Sequence, residues 1–144
     1  MKLTAKTLVL GLILVGGIAY GATATDPDAK ARQMLMDSNG AAMKTLGEMA
    51  GGKVPFDATA AAAAKASLVA DSADIPVKFK NQSTDPASKA KPDIWTSWDD
   101  FTAKAADLGK ASAALDTTSL DTMKAGMDAI GGACKACHTA YKAS

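Results

Sequence analysis

The sequence predicts an all-α protein, an antiparallel four-helix bundle. Aromatic residues make up only 5% of the 144-residue chain, alanine is abundant and β-branched residues are sparse, a composition that favours helix. Apolar residues recur three and four positions apart in four segments, as they do on the buried face of an amphipathic helix. Short connections and one long connection join these segments, which fits a bundle whose neighbouring helices cross at about 20°.

Residues 1–24 have the composition of a secretory signal peptide. Two lysines precede an apolar run from Leu8 to Ile18, and Ala22-Thr23-Ala24 supplies a small-residue cleavage site. The run is short for a membrane span, and an uncleaved anchor extending to Ala24 is the alternative. If the segment is cleaved, residues 25–144 form one domain with no stable membrane anchor.

Charge is nearly balanced in residues 25–144. Loss of the two N-terminal lysines leaves 14 basic and 15 acidic residues. The sequence contains neither a basic excess nor a basic run, so it predicts no nucleic-acid partner. Its length is sufficient for one domain with one hydrophobic core.

Local signals place the starts of the first two helices. Asp26 is suited to cap the first helix, because Pro27 then occupies the first helical position, where the missing N–H has no intrahelical partner to lose. Gly51-Gly52 is expected to end that helix, since glycine adopts left-handed geometry without steric cost. The second helix is predicted to begin after Asp57.

The end of the second helix has two interpretations. The shorter helix ends at about Asp71, whereas the longer one continues to Phe79. In the shorter case a connection from about Ser72 to Lys91 follows, and it contains Pro76 and Pro86. Because such a length is unusual in a compact domain, the connection is expected to contain further helical turns or to lie over the functional site.

The last two helices carry regular apolar stripes. The third is predicted to open at Pro92, and the fourth around Ser119, where residues 118–121 resemble a capping box. The stripe of the third helix consists of Ile94, Trp98, Phe101, Ala105, Leu108 and Leu115. The stripe of the fourth consists of Leu120, Met123, Met127, Ile130, Cys134, Cys137 and Tyr141. Both cysteines of the chain therefore belong to a core-facing helix face.

The sequence from Cys134 to His138 is the attachment motif of a c-type haem, C-x-x-C-H. Residues three apart lie on one helix face, so both thiols reach one porphyrin edge and His138 is placed as the proximal iron ligand. The chain has no other cysteine or histidine, which excludes two histidine ligands within one chain. The absence of further cysteines and histidines also disfavours a structural zinc site, which almost always has four protein ligands. No strand and helix crossover supports a thioredoxin-like dithiol, and a short disulfide is the remaining alternative.

Geometry narrows the distal ligand to the start of the first helix. His138 lies only about 6 Å from the expected end of the last helix, which in an antiparallel bundle lies beside that start. Methionine is then the natural strong-field candidate. Met34 and Met36 point about 200° apart, so only one of them faces the haem. Met36 shares its face with apolar and glycine residues and is the predicted distal ligand, with simple core filling as the alternative.

Polar and small residues near these positions suggest further roles. Arg32 lies one turn before Met36 and is a candidate for a charge-assisted bond to a haem propionate; a solvated arginine is the alternative. Gln33 is a weaker candidate for the same edge. Gly131 and Gly132 could let the ring lie close to the last helix; otherwise each weakens that helix by about 1 kcal/mol relative to alanine.

These features together resemble the class II cytochromes c, the cytochrome c-prime and cytochrome c-556 group. The resemblance spans residues 25–144 and rests on four segments. These segments are Arg32-Gln33, residues 55–58, residues 91–95 and residues 131–138. It implies one covalent haem c with iron in a periplasmic protein.

The resemblance also bears on the distal ligand and on function. Low-spin members have methionine at the distal position and carry electrons, whereas high-spin members have a non-coordinating residue there and bind nitric oxide or carbon monoxide. By its position after Arg32-Gln33, Met36 matches the low-spin methionine. High-spin members often have arginine after the Tyr141 position, but this chain has Lys142, which lacks the planar donor fork of arginine.

The leading hypothesis is therefore a carrier of single electrons, not an enzyme, that works with a periplasmic redox partner protein. The resemblance also implies a homodimer formed through the first two helices. A five-coordinate gas-binding protein is the alternative, and a structural or sensory haem module is a third.

Overall fold

The computed structural model describes residues 23–144 and contains five helices in that range. They are α1 (Pro27–Ala50), α2 (Ala58–Lys78), α3 (Asp93–Thr96), α4 (Trp98–Ala114) and α5 (Leu120–Tyr141). The predicted all-α class is confirmed. The predicted signal peptide lies outside the described residues except for Thr23 and Ala24.

The four long helices form a closed ring in which α1 packs on α2, α2 on α4, α4 on α5, and α5 on α1. Two contacts along the α2–α4 pair establish that these helices run antiparallel. The rings of Phe79 and Phe101 lie 5.2 Å apart at one end, and a Cβ added to Gly109 would meet Ser72 near the middle. The structure is thus the predicted antiparallel four-helix bundle.

The predicted helix starts are present, and capping explains them. The Asp26 carboxylate accepts from the Ala29 N–H at 2.8 Å, and the Asp57 carboxylate accepts from the Thr59 N–H at 2.8 Å. Ser119 and Thr122 form a reciprocal capping box at the start of α5. Each interaction satisfies backbone donors that the first helical turn leaves unpaired.

The shorter interpretation of the second helix is wrong. α2 continues through Pro76 to Lys78, with Phe79 as its C-cap residue. Proline is tolerated because it lies in the last turn, so the helix loses one hydrogen bond near an end that already has unpaired groups. Burial of Ile75 and Phe79 stabilises this last turn.

The predicted third helix is divided in two. Ser97 has φ −124° and ψ 45°, outside the helical region, and separates α3 from α4. The break lets the short α3 bury Ile94 in the core, where it is 1% exposed, while Trp95 turns towards the end of α2. The Trp95 indole N–H donates to the Phe79 carbonyl oxygen at 2.7 Å.

The segment between α2 and α3 lies across one end of the bundle. The Asp85 carboxylate accepts from the backbone N–H groups of Thr25 and Asp26, at 2.7 and 2.8 Å. On its other side the segment pairs with the last residues, since Lys91 N–H donates to the Tyr141 carbonyl oxygen at 2.9 Å. The connection therefore joins the start of α1 to the end of α5. Within residues 23–144 no helix is long and apolar enough to cross a bilayer.

Candidate haem-binding site

The antiparallel arrangement brings the start of α1, the end of α2, the start of α4 and the end of α5 to one end of the bundle. Two cavities, of about 90 and 910 Å³, lie there. The larger one is within the size range of small-molecule sites. Both are lined by Met36, Ile75, Cys137 and His138. The structure therefore brings the predicted distal and proximal residues to the same site.

Cys134 and Cys137 are free, half-buried thiols on the inward side of α5. The structure therefore does not contain the disulfide that was the alternative interpretation of the two cysteines. Burial raises the pKa of both thiols, so they remain protonated at neutral pH. Both line the smaller cavity, and Cys137 also lines the larger one.

His138 lies one residue beyond Cys137, at the more exposed edge of the same cavities. Burial of one side of the ring lowers the pKa of His138, and the positive charge of Lys142 lowers it further. The imidazole is therefore neutral at pH 7. This is the form in which a ring nitrogen binds a metal.

The two methionines at the start of α1 have different environments. Met36 is half-buried, packs against the hydrophobic core and lines both cavities. Met34 is 63% exposed and touches only the larger cavity. Met49, in the last turn of α1 and remote from the site, is 2% exposed, and its sulfur accepts from the Asp57 N–H at 3.3 Å.

Arg32 is not a solvated arginine, because its side chain is only 3% exposed. Its guanidinium carbon lies 5.4 Å from the ring centroids of both Phe79 and Trp95, and Nη1 donates to the Asn81 carbonyl oxygen at 3.3 Å. Nε and Nη2 are buried without a hydrogen-bond partner among the described residues. The side chain also lines the larger cavity beside Gln33, so the polar edge expected from the sequence is present there.

Aromatic rings form the wall between α2, α4 and α5. Phe101 packs edge-on against Tyr141 with centroids 5.3 Å apart, and both line the larger cavity. The Tyr141 hydroxyl donates to the Asp100 carboxylate at 2.5 Å, which raises the pKa of Tyr141 to about 12. Trp95 stacks on Arg32 and Trp98 packs on Phe101, and neither side chain lines either of the two cavities.

The sequence did not lead us to predict several of the residues that line the two cavities. Ile75 and Phe79 continue the apolar spacing of α2 from Leu68 and Ser72, a pattern that could have found them. Asn39 and Lys104 also line the smaller cavity, and no sequence signal marks either. Gly131 and Gly132, also on α5, are exposed, and a Cβ added to either meets no atom of the described residues within 4 Å; packing among the described helices therefore requires neither glycine.

The side chains at this end fit a covalently attached haem. Two free thiols, a neutral imidazole and a thioether surround apolar space, and two buried nitrogens of Arg32 lack acceptors among residues 23–144. Thiols can form thioether bonds, imidazole and thioether sulfur can bind iron, and a propionate can accept from guanidinium. The donor set matches each part of such a group.

Comparisons with known proteins agree with this geometry. Residues 28–142 match the family model described as Cytochrome C'. A cytochrome c-556 from Agrobacterium fabrum is 34% identical over 146 residues, covering 99% of this chain and 97% of its own. The NMR-validated structural model of oxidized R. palustris cytochrome c556 is 30% identical, with a TM-score of 0.74 over 82% of this chain and 97% of that one.

A nitric oxide complex of a cytochrome c prime mutant from Alcaligenes xylosoxidans also has this fold, at 26% identity and a TM-score of 0.70, over 81% of this chain and 94% of that one. The matches include both members named for c-556 and members named for c-prime. The family model covers nearly all of the described helices. The chain therefore belongs to the cytochrome c-prime family, and it is a haem c protein with iron as its metal.

Proposed function

We propose that this haem c protein carries single electrons in the periplasm, with its haem bonded to Cys134 and Cys137 and its iron held by His138 and Met36. One observation carries the proposal. Among the methionines of residues 23–144, only Met36 lines both cavities that also contain Cys137 and His138. The exposed Met34 is poorly placed for the same role.

Each ligand is held by a long helix of the bundle. His138 lies in the last turn of α5, and Met36 lies in the first half of α1, which packs on α5. Two ligands fixed by packed helices need little rearrangement when the charge of the site changes. Methionine as the second axial ligand also favours a higher reduction potential than a second imidazole would. Bound haem supplies the one-electron couple, and no catalytic base or substrate pocket is required.

The remaining residues protect and orient the group. Apolar side chains such as Ile75 and Leu108 exclude water from one side of the site, and Arg32 offers two N–H groups to a carboxylate. The pKa shift of His138 keeps its imidazole in the binding form. These roles are stereochemical and electrostatic, which suits a carrier more than a catalyst.

The test is the spin state of the ferric protein at neutral pH, measured by electron paramagnetic resonance and optical spectra. We expect a low-spin signal from the unaltered protein and from Met34→Ala, and a high-spin signal from Met36→Ala. Met34→Ala is a matched control, because it removes the same side chain two residues away. A high-spin signal from the unaltered protein, or no change in Met36→Ala, would refute ligation by Met36.

Gas binding is the second candidate, and it is favoured by the similar structure that is described as a nitric oxide complex. In that case the sixth iron position is open and Met36 only fills the pocket. Carbon monoxide mixing with the reduced protein distinguishes the two. An electron carrier binds the gas slowly or not at all until Met36 is replaced, whereas a gas-binding protein binds it at once.

Export, cleavage after Ala24 and a homodimer through α1 and α2 belong to the same proposal. The intact mass of the exported protein tests the cleavage site, and sedimentation tests the dimer. Ala24 is only 4% exposed, and its N–H donates to the Gln33 side chain at 2.9 Å; cleavage after Ala24 would remove this contact.

A further inference from the structure

The carboxylate of Asp85 holds the chain just before α1. Its Oδ2 accepts from the backbone N–H groups of Thr25 and Asp26 at 2.7 and 2.8 Å, and from the Thr25 hydroxyl at 3.0 Å. Its Oδ1 accepts from the Ala87 N–H at 2.8 Å. Four hydrogen bonds therefore fix one carboxylate against a backbone nitrogen 60 positions away in the sequence.

The segment that contains Asp85 forms part of the wall of the haem site. Residues 86–90 line the larger cavity together with His138. At the other end of the segment, the Ala143 N–H donates to the Lys89 carbonyl oxygen at 2.8 Å, and the Lys91 N–H donates to the Tyr141 carbonyl oxygen. We call residues 85–91 the strap. It is attached to the start of α1 through Asp85 and to the end of α5 through its last residues.

The Thr25 nitrogen changes its chemistry if the chain is cleaved after Ala24. Hydrolysis of that peptide bond places the hydroxyl of water on the Ala24 carbonyl carbon and a hydrogen on the Thr25 nitrogen. A neutral amide N–H becomes an α-amine, whose ordinary pKa is about 7.7–8.0, so it is mostly protonated and positive at neutral pH. The atom that lies 2.7 Å from the Asp85 carboxylate would then have the opposite charge.

We propose that cleavage after Ala24, which is part of the proposed function, creates an ion pair between the Thr25 α-ammonium and Asp85, and that this pair latches the strap over the haem site. Ion pairs at the surface are usually weak, because two long side chains lose freedom when they pair. Here the carboxylate is already fixed by Asp26 and Ala87, and the ammonium belongs to the backbone. The pKa of Asp85, about 2, keeps its carboxylate charged wherever the amine titrates.

Other charged groups near this end of the bundle act on the new amine in both directions. Three carboxylates favour its protonated form and four cations oppose it. Besides Asp85, these groups either interact with Asp26 or line the larger cavity with Thr23; they are Asp28, Asp37, Lys30, Arg32, Lys89 and Lys142, together with Asp26 itself. The effect of Asp85 is therefore measured against Asp85→Asn, which keeps all of them.

The experiment uses the haem-loaded protein purified after export, and its intact mass identifies the first residue. Reductive methylation with ¹³C-formaldehyde labels the α-amine and preserves its charge, so NMR of the reduced protein follows its titration. We expect the pKa of the Thr25 α-amine to be at least about 0.5 higher than in Asp85→Asn. Asp28→Asn is the matched control, because it removes a carboxylate of the same end that accepts from Asn81 instead of Thr25. It should lower the pKa less than half as much.

A glycine inserted between Ala24 and Thr25 tests the latch. Cleavage after Ala24 then leaves glycine first, and the Thr25 nitrogen is an amide again. Hydrogen exchange of the Ala87 N–H at pH 6 should be about threefold slower in the protein that begins at Thr25 than in the glycine-extended protein, and Asp85→Asn should remove the difference. Because the amine pKa is raised in the fold, the difference should be complete below pH 7 and be lost as pH rises through that pKa.

The outcomes separate this ion pair from the proposed function. A first residue other than Thr25 would overturn both the cleavage and the pair. With Thr25 first, an amine pKa that Asp85→Asn leaves unchanged would overturn the pair alone, and equal exchange with and without the glycine would overturn the latch. The ferric spin state of the same samples reports on the electron-carrier proposal independently. Matching circular dichroism of all variants excludes unfolding as the cause of faster exchange.

Discussion

Replacement of Arg32 with methionine should be nearly neutral without haem and clearly destabilising with it. The side chain is almost fully buried, and its aliphatic part occupies space that methionine fills with similar shape. The substitution removes the guanidinium, which makes favourable contacts but also has buried nitrogens without hydrogen-bond acceptors among residues 23–144. The size of the effect therefore depends on whether a haem carboxylate accepts the unsatisfied N–H groups.

The opposing contributions can be estimated from the contacts. Two ring faces, from Phe79 and Trp95, lie 5.4 Å from the guanidinium carbon, and such desolvated contacts stabilise by about 1–2 kcal/mol each. The hydrogen bond to Asn81 at 3.3 Å adds about 0.5–1 kcal/mol. Against these, Nε and Nη2 are buried without a hydrogen-bond partner in the described part of the chain, which costs about 1–3 kcal/mol each. At the middle of these ranges the stabilising and destabilising contributions differ by less than about 1 kcal/mol.

A propionate that accepts from Nε and Nη2 removes the penalty and adds charge-assisted bonds, so Arg32→Met should then lower the free energy of unfolding by about 2–4 kcal/mol. Urea unfolding followed by circular dichroism measures this in the haem-loaded protein. The same substitution in a Cys134→Ala, Cys137→Ala background, first checked for helix content, gives the haem-free value. Lys30→Met is the control for loss of a positive charge at the start of α1. Equal effects of Arg32→Met in both backgrounds would refute a propionate contact.

Four further predictions concern single residues of the domain. Tyr141 has a folded pKa of about 12, above its ordinary value of 10.0, so it stabilises the fold below pH 10 and this contribution is lost as pH rises towards 12; Tyr141→Phe should lack that loss in alkaline unfolding curves. Asp85 has a folded pKa of about 2, below 3.8, so Asp85→Asn should be less stable at neutral pH, and its difference from the unaltered protein should vanish as pH falls towards 2. Gly126→Ala should lower the midpoint of thermal unfolding, because the new Cβ would lie 2.7 Å from the buried Leu115 side chain; overpacking costs about 1–3 kcal/mol. In Gly132→Ala the new Cβ meets no atom of residues 23–144 within 4 Å, so the substitution should raise the midpoint of the haem-free protein through its helix propensity.

Local chemistry made the helix starts and the haem motif predictable. Asp26, Asp57 and Ser119 cap helices through side-chain oxygens two or three residues before the N–H groups they accept from. Such interactions depend on a few neighbouring residues, so the sequence alone contains the information. The spacing of Cys134 and Cys137 is local in the same sense, and it placed both thiols on the inward side of α5.

Arg32 illustrates what the sequence could not supply. Its position on the face of Met36 was predictable, but its burial between two rings depends on residues 47 and 63 positions away, at Phe79 and Trp95. Those rings reach it only because α2 is longer than its alanine-rich part and because Ser97 interrupts the helix after Trp95. Neither feature follows from local preference, since tertiary burial overrides it in both places.

Pro76 links the missed helix end to the missed site residues. A helix that stopped at Asp71 would leave Ile75 and Phe79 on a loop, with no fixed direction for either side chain. With α2 continuing to Lys78, both side chains keep the spacing begun by Leu68 and Ser72 and point into the end of the bundle. Apolar spacing on both sides of a proline is therefore stronger evidence for a continuing helix than the proline is for a break, provided that the helix ends within about one turn after it. Here the last turn of α2 and its C-cap residue provide Ile75 to both cavities and the Phe79 ring to Arg32, so the same stretch sets the wall of the haem site and the position of its buried cation.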